Sequence, residues 1–381
     1  MKFAFTAEQD AKRAEFRAFL EANRPAPGEM DEESGSGRFE RALAEKGWLT
    51  MAWPLEYGGL GATHTEQVIF KEELFRVGGG FDFLGVQLAG PTIMVHGSDE
   101  LKRQFLPKIA AAEIRWCQGF SEPGAGSDLA SLQTRAVRDG DDFVVNGSKI
   151  WTSSAHRADW ILLLTRTDTE APKHRGISMF VVDMKTPGVT VRPLHHITGV
   201  HGFNQVFFED VRVPATNMVG EENRGWYAAT TTLDFERSGI ERNLVARNDW
   251  YRIRAFLKEP AGRRAIAGRS PGWRLKMADL FVELEAGQWM ARRIAYLQER
   301  GVIPNYESSM SKNFNSELGQ RVADFGVNIF GLAGQLRSGE HAAMGGMASF
   351  RYLDSRRLTI GQGTSEINRN VIATRGLGLP R

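Results

Sequence analysis

The stretch LTIGQGTSEINRN (358–370) sets two glycines around an amide and follows them with two helix-opening hydroxyls, Thr364 and Ser365. A helix start leaves backbone N–H groups unpaired, and the bare backbone at Gly361 and Gly363 lets another molecule come close. Such a seat suits a polar cofactor or a carbonyl group. The residue between the glycines is Gln362, which takes up no proton, so a base must come from elsewhere. TTLDFERSGIER (231–242) offers carboxylates at Asp234 and Glu236 beside Arg237. On a helix, at about 100° per residue, Thr232, Gly239 and Ile240 share the face of Glu236. That face is small and apolar and leaves room beside the carboxylate. The simpler reading of such a tetrad is a solvated salt-bridge face.

Two further stretches carry unusual chemistry. GFSEPGAGSDLAS (119–131) leaves a β run through a Pro-Gly turn and offers the Ser121 and Ser127 hydroxyls with bare N–H groups around Gly124 and Gly126. Such a loop can wrap a polar ring edge or a pyrophosphate, although composition alone favours a plain surface turn. KIWTSSAHRADW (149–160) puts Trp151 at a strand end, followed by hydroxyls at Thr152, Ser153 and Ser154. A tryptophan in a β domain usually belongs to the core. Hydroxyls directly after it also fit an indole laid against a flat aromatic cofactor, with a donor aimed at a ring nitrogen.

The elements that must position these stretches change type along the chain. The first ~110 residues read as helices. Thr6 and Gln9 form a capping box, and Phe16, Phe19 and Leu20 make a helical stripe ended by Pro25. Residues 65–77 and 98–113 are two more amphipathic helices, preceded by the Pro/Gly-rich loop WPLEYGGLGAT. From about 115 to 215 short β-type runs follow, about seven or eight of them, with an Asn146–Gly147 turn between two runs. Residues 358–360 read as the end of a buried strand. After Gly220 long helices are expected over 223–258, 272–300, 305–337 and 340–355, with a basic break at 258–273.

Composition bounds the rest. The 381 residues call for two or three domains. A net charge of +2 argues against nucleic acid or a membrane surface as partner. The single cysteine, Cys117, has no internal disulfide partner, which favours a reducing compartment. No apolar run is long enough to span a bilayer, and the charged N-terminus does not read as a signal peptide, so a cytoplasmic setting is expected. No G-x-G-x-x-G follows a strand, and neither a P-loop nor an H-E-x-x-H motif is present. His195, His196 and His201 lack further ligand residues nearby and read as ordinary loop histidines rather than a metal site.

Taken together, these stretches resemble the acyl-CoA dehydrogenase family, including the bacterial steroid and branched-chain types. GFSEPGAGSD is similar to that family's first signature, with Phe120 where a smaller aliphatic residue is commoner. WPLEYGGLG, NGSKIWTSSA, FFEDVRVP and GQGTSEI fall in the family's order and spacing, over essentially the whole chain. The resemblance implies a multidomain α+β fold: an N-terminal α-helical domain (1–114), a central β-barrel or sandwich domain (115–222) and a C-terminal four-helix bundle (223–381). It implies non-covalent FAD, α,β-desaturation of an acyl-CoA thioester, and passage of electrons to an electron-transfer flavoprotein. Carried over by position, Phe120 and Ser121 meet the flavin pyrimidine edge, and Gly126 and Ser127 lie along the cofactor and the CoA thioester arm. Trp151 covers the isoalloxazine, with Thr152 also a cofactor contact and Ser153 hydrogen-bonding near N5. Gly363, Thr364 and Glu366 line the site, and the Gly363 N–H polarises the thioester carbonyl.

The resemblance also bears on the base. Most members carry a glutamate where this chain has Gln362. A smaller group, including isovaleryl- and long-chain-type enzymes, carries it on a bundle helix, and Glu236 matches that place. Its pKa is expected to rise towards ~6–7 when an acyl chain expels water. Asp234 and Arg237 match positions that contact CoA. In NIFGLAG (328–334), Asn328 and Leu332 stand where the family prefers Gln and Gly. That segment, with Gly331, receives the adenosine end of a neighbour's FAD. The family's pyrophosphate-reaching arginine segment is not recognisable in 248–275, although Arg263 and Arg264 lie near its place. A homotetramer is the implied assembly. Two alternatives remain: one half of a heteromeric dehydrogenase, such as a heterotetramer, or another flavin oxidase or monooxygenase on the same scaffold. Gly361 stands where a larger aromatic is common, which points to a wide acyl group.

Overall fold

The computed structural model describes residues 5–24, 37–235 and 240–380, with the backbone alone for 231–235. These residues form two compact units. One comprises the helices Ala7–Ala22 and His64–Arg76 and the helices from Ile240 onward; the other comprises 37–62 and 79–235. In order along the chain the architecture is helical, then a curled β sheet, then helical again.

The sheet has seven strands: β1 (Trp116–Gly119), β2 (Arg135–Asp139), β3 (Asp142–Lys149), β4 (Trp160–Arg166), β5 (Ile177–Asp183), β6 (Val189–Leu194) and β7 (Phe203–Pro214). Their order is β1-β4-β2-β3-β7-β6, and β5 pairs with β4. Phe143, Val145, Phe180, Val206, Phe208 and Cys117 fill the core inside the curl. β4 and β5 are almost wholly buried, which is why they read as near-continuous apolar runs. The helix Asp99–Ala110 packs on β1 and β4 through Phe105, whose ring meets Trp116 at 5.2 Å and Trp160 at 4.7 Å, both edge-on.

One expectation fails within the sheet. Asn146–Gly147 is not a turn but a bulge inside β3, where the register with β7 shifts between Val145 and Gly147. The Asn146 amide bonds Asp210 of β7 instead, donating to its carboxylate at 3.0 Å and accepting from its N–H at 2.9 Å. Gly147 presses on Thr134, whose Cα would sit 2.7 Å from any Cβ placed there. The hairpin turn falls earlier, at Gly140, with φ +63°.

In the other unit the helices Ile240–Lys258, Trp273–Glu299 and Tyr306–Phe330 pack around Leu284, Leu318, Val322 and Phe325. His64–Arg76 lies against the first two and buries Lys71, Glu72 and Glu73. Each buried charge has a partner. Glu73 takes Arg13, Arg17 and Arg76, Glu72 takes Gln288 and Arg292, and Lys71 pairs with Glu241. Burial pushes the Glu73 carboxyl up, but the three guanidinium groups outweigh it and hold it at about 2. The capping box at Thr6 and Gln9 is present. Pro25 lies outside the described residues; the helix it was expected to end stops at Ala22.

Three C-terminal expectations are corrected. The helix expected over 305–337 ends at Phe330, because Gly331 adopts φ +58°, ψ −130°. The helix expected from 340 begins at Met347, after a turn with Met344 and Gly345 in the left-handed region. Residues 358–360 do not end a strand. Arg356–Thr359 is a tight helical turn continuing Met347–Ser355, held by Gln320, which donates to Ser355 O (3.3 Å) and Thr359 Oγ1 (3.0 Å). Within the break at 258–273, Pro260–Ala265 forms a short helix.

One buried ion pair joins two loops at the end of β3. Lys149, wholly buried, donates to the Glu122 carboxylate at 2.7 Å and to Phe120 O at 3.1 Å. Glu122 also accepts from the N–H groups of Gln133 (2.6 Å) and Thr134 (2.9 Å). Burial pushes the Lys149 ammonium down to about 8, and the nearby Glu122 pulls the other way. Burial alone would raise the Glu122 carboxyl, but Lys149 and its hydrogen bonds hold it below its ordinary value. Replacing Lys149 by Met leaves a buried carboxylate without its cation, and such a loss typically costs about 3–5 kcal/mol. Denaturant unfolding of Lys149→Met is expected to show a loss of that size, partly recovered in the double variant Glu122→Gln/Lys149→Met. A single variant as stable as the parent contradicts the pin.

Candidate active site

The loop after β1 holds the first predicted group. A two-way backbone pair between Glu122 and Ala125, 2.9 and 3.0 Å, closes the Pro-Gly turn. Gly126 and Ser127 are exposed, and a Cβ built at Gly124 or Gly126 meets nothing within 4 Å, so the backbone here is open to a ligand. Phe120 is different: it is 7% exposed, its side chain packed inward, and its carbonyl accepts from the buried Lys149 ammonium. Ser121 is half-buried, and its carbonyl accepts from Ile150 N at 2.9 Å, which ties this loop to the next.

The loop after β3 is strained in a specific way. Trp151 and Ser154 take φ +59° and +56°, a region L side chains rarely adopt. The result is a Trp151 indole 55% exposed, set edge-on to Phe203 at 5.9 Å. An exposed indole in a strained backbone is not a core tryptophan. Thr152, by contrast, is fully buried, and its Oγ1 has no hydrogen-bond partner among the described residues. A buried, unpartnered hydroxyl beside an exposed indole is the chemistry of a seat for a flat ring with a polar edge. Ser153 is half-buried next to them.

In the other unit, Thr364 caps the helix Ser365–Val371, its Oγ1 accepting from Ile367 N at 3.2 Å. The loop ahead of it runs through two left-handed residues, Gln362 (φ +58°) and Gly363 (φ +78°). Three side chains hold its carbonyls. Lys312 donates to Gly363 O at 2.6 Å, Asn368 donates to Gly363 O at 3.0 Å and Thr364 O at 2.9 Å, and Asn313 donates to Ser365 O at 3.3 Å. Among the described residues no group accepts from the Gly363 N–H. Burial pushes the Lys312 ammonium down to about 8, with Arg242 adding to the effect. Glu366 is fully exposed on the first turn, where its own N–H and the Thr364 hydroxyl hold its carboxyl below the ordinary value. Lys312, Asn313 and Asn368 carry no local sign of this role in the sequence. Their contacts to the loop span 51, 52 and 5 residues, and only the last is within local reach.

Asn328 and Gly331 are not gathered with this loop. They stand at the far end of the helix that carries Lys312, roughly 24 Å away at 1.5 Å per residue. Asn328 is exposed, as is Leu332 beside it, at 81%. The Arg269 guanidinium lies against Gly331, where a Cβ would meet it at 2.5 Å. Arg263 and Arg264 lie in the short helix Pro260–Ala265. Glu236 and Arg237 fall outside the described residues, and Asp234 is described by its backbone only, in the helix Gly225–Phe235. His195 and His201 rings are 5.4 Å apart, and no group of three potential metal ligands occurs among the described residues. No helix among them is long and apolar enough to cross a membrane.

The sequence and fold both have close counterparts. Models of the N-terminal, middle and C-terminal domains of acyl-CoA dehydrogenases match residues 6–113, 117–211 and 223–377. Acyl-CoA dehydrogenase FadE26 of Mycobacterium tuberculosis is 36% identical over 402 residues, spanning 100% of this chain and 99% of its own. The solved Tcur3481-Tcur3483 steroid ACAD superposes with a TM-score of 0.90 at 34% identity, covering 100% of both chains. The ChsE4-ChsE5 complex from Mycobacterium tuberculosis gives a TM-score of 0.88 at 36% identity, again over 100% of both. With matching domains along nearly its whole length, the chain belongs to the acyl-CoA dehydrogenase family of oxidoreductases.

Proposed function

We propose that this protein is an FAD-dependent acyl-CoA dehydrogenase that converts an acyl-CoA thioester to its 2-enoyl-CoA. The observation that carries the reading is the seat after β3: an exposed Trp151 in a left-handed backbone beside the buried, unpartnered Thr152 Oγ1. Those groups fit a flavin ring, and the open backbone at Gly124 and Gly126 fits the approach of its polar parts. In this reading the three segments 1–114, 115–222 and 223–381 are the functional divisions of the chain.

Phe120 and Ser121 border the pyrimidine edge, Trp151 covers the ring and keeps water from it, and Thr152 and Ser153 supply donors near its nitrogens. Bound there, FAD supplies the acceptor for the hydride that leaves the substrate β-carbon. Glu236 removes the α-proton. The Gly363 N–H polarises the thioester carbonyl as negative charge develops on its oxygen, with the loop held by Lys312 and Asn368. Asp234, Arg237 and Ser127 bind the CoA arm, and Thr364 and Glu366 line the cofactor side. Asn328 and Gly331 receive the adenosine end of a neighbouring subunit's FAD, with Arg269 available to an anionic group there. Electrons leave to an electron-transfer flavoprotein.

Gly361 is exposed, and a Cβ there would meet only Arg357 O, at 3.8 Å. That bare position supports a wide acyl group, branched or polycyclic, in keeping with the steroid description of one similar structure. For assembly, a homotetramer is one reading. The similar Tcur3481-Tcur3483 and ChsE4-ChsE5 structures, each named for two chains, support the other, in which this chain is one half of a heteromeric enzyme. Light scattering with FAD stoichiometry on the chain purified alone separates them. One FAD per chain in a tetramer supports the first; a flavin-poor assembly, completed by a second homologous chain, supports the second.

Glu236→Gln is expected to retain FAD and acyl-CoA binding and to lose flavin reduction by about 10²–10⁴-fold, the usual range for a general base. Gln362→Ala, which removes a side chain without acid–base chemistry, is expected to cost much less. Anaerobic stopped-flow bleaching of the flavin reads both, and near-parental reduction in Glu236→Gln removes Glu236 as the base. Trp151→Ala is expected to weaken FAD binding, measured by flavin fluorescence on titration into apoprotein. Unchanged affinity would mean the indole does not cover the ring.

A further inference from the structure

We infer that Asn204 is the positioning residue for the cofactor seat, acting through the carbonyl of Thr152. The inference rests on the reading above that residues 151–153 contact the flavin. Asn204 is fully buried, one residue into β7, at the point where β3 has already ended. Its backbone makes a reciprocal pair with Thr152, N–H to O at 3.0 Å in both directions, and Ser154 N bonds Gly202 O at 3.2 Å. The ladder between β3 and β7 therefore ends at Lys149–Val206 and resumes at Thr152, with Trp151 turned out of it.

The Asn204 side chain locks this second contact. Its Nδ2 donates to Thr152 O at 3.1 Å and to His156 Nδ1 at 3.1 Å, and its Oδ1 faces His201 Nε2 at 2.7 Å. A carbonyl oxygen only accepts, so the amide has one possible orientation. Two consequences follow for the histidines. His201 carries its proton on Nε2 and donates to Asn204, while His156 presents a bare Nδ1 as acceptor. The two imidazoles stack at 4.0 Å. One buried amide thus fixes Thr152 O, His156 and His201 at once. Thr152 O takes two donors from the same residue, and this holds the peptide that precedes Ser153 in a single orientation. The strained φ at Trp151 and Ser154 is sustained because the residues between and beyond them are held in this way.

Asn204→Asp tests the assignment. It keeps the size and acceptor of the side chain but sets a carboxylate oxygen against Thr152 O. Hydrogen–deuterium exchange of the purified chain, read on peptides covering 150–156, is expected to show loss of protection at Thr152 and Ser154 by ten-fold or more. Strands β4 and β5 should keep theirs. In the flavin-loaded protein the variant is expected to bind FAD about ten-fold or more weakly and to shift the visible flavin band and reduction potential, readouts that a general packing loss leaves in place. Unchanged exchange at Thr152 and Ser154 overturns the inference. Faster exchange there with unaltered flavin affinity, band and potential also overturns it, because the loop is then held for another purpose. Should Asn204→Asp not fold, His156→Leu at an exposed position takes its place, expected to speed exchange at Thr152 by a smaller factor that His156→Gln, retaining an acceptor, restores in part. No change in His156→Leu overturns it. A parent protein that takes up no flavin instead contradicts the proposed function, and the exchange measurement still decides whether Asn204 holds the loop.

Discussion

The buried pair of Lys149 and Glu122 is the constraint on which the β unit's candidate site depends. A charge in a low-dielectric interior must find its partners nearby or not be charged at all. Here the requirement is met by two loops that are 27 residues apart in sequence. Glu122 needs donor partners on both oxygens, so the backbone N–H groups of Gln133 and Thr134 are drawn to it, and Lys149 closes on Phe120 O as well. Arg166 braces the same region by donating to Lys173 O and Ala130 O. Residues 120–122 and 149, held in this way, flank both the exposed Gly124, Gly126 and Ser127 and the exposed indole at 151.

A common device recurs at the two candidate loops. Side-chain donors, most of them from distant elements, are aimed at backbone carbonyls, which sets the peptides and leaves neighbouring N–H groups or hydroxyls available. Asn204 does this to Thr152 O, and Lys312, Asn313 and Asn368 do it to the carbonyls of 363–365. A carbonyl that is already satisfied does not compete with a ligand for the same donors, and a peptide held from one side has little freedom to turn. Both loops also place non-glycine residues at positive φ, Trp151 and Gln362, which persist only where the surroundings over-determine them.

The helical unit solves a different problem. Helix His64–Arg76 brings three consecutive charged residues, Lys71, Glu72 and Glu73, into a buried position. Each is met by opposite charge or amide from Ala7–Ala22, Ile240–Lys258 or Trp273–Glu299, so the network fixes the mutual register of four helices. Lys71 engages Glu241 at the very start of the helix that follows residues 236–239. Polar contacts of this kind resist small slips more sharply than apolar packing does, because a displaced partner leaves a buried charge unpaired.

What the sequence determined by itself is whatever is settled within a few residues. The Thr6–Gln9 capping box and the Thr364 cap each close over three residues, and both were legible. So were the runs that became β4, β5 and β7, whose burial is written in their composition, and the family motifs spread along the chain. Tertiary structure decided the rest, where the partner is remote. Asn146–Gly147 has the composition of a turn, and it became a bulge because Asp210, 64 residues on, takes the Asn146 amide. Leu358–Ile360 has a strand's composition, and it became a helical turn because Gln320 bonds Thr359 from another helix. Trp151 could be read as core or as a cofactor face; its exposure was decided by the resumption of the β7 contact at Thr152. Lys149, Lys312 and Asn204 gave no local sign of their roles, because a hydrogen bond across the fold depends on where the backbone has been carried, and no short window of sequence contains that distance.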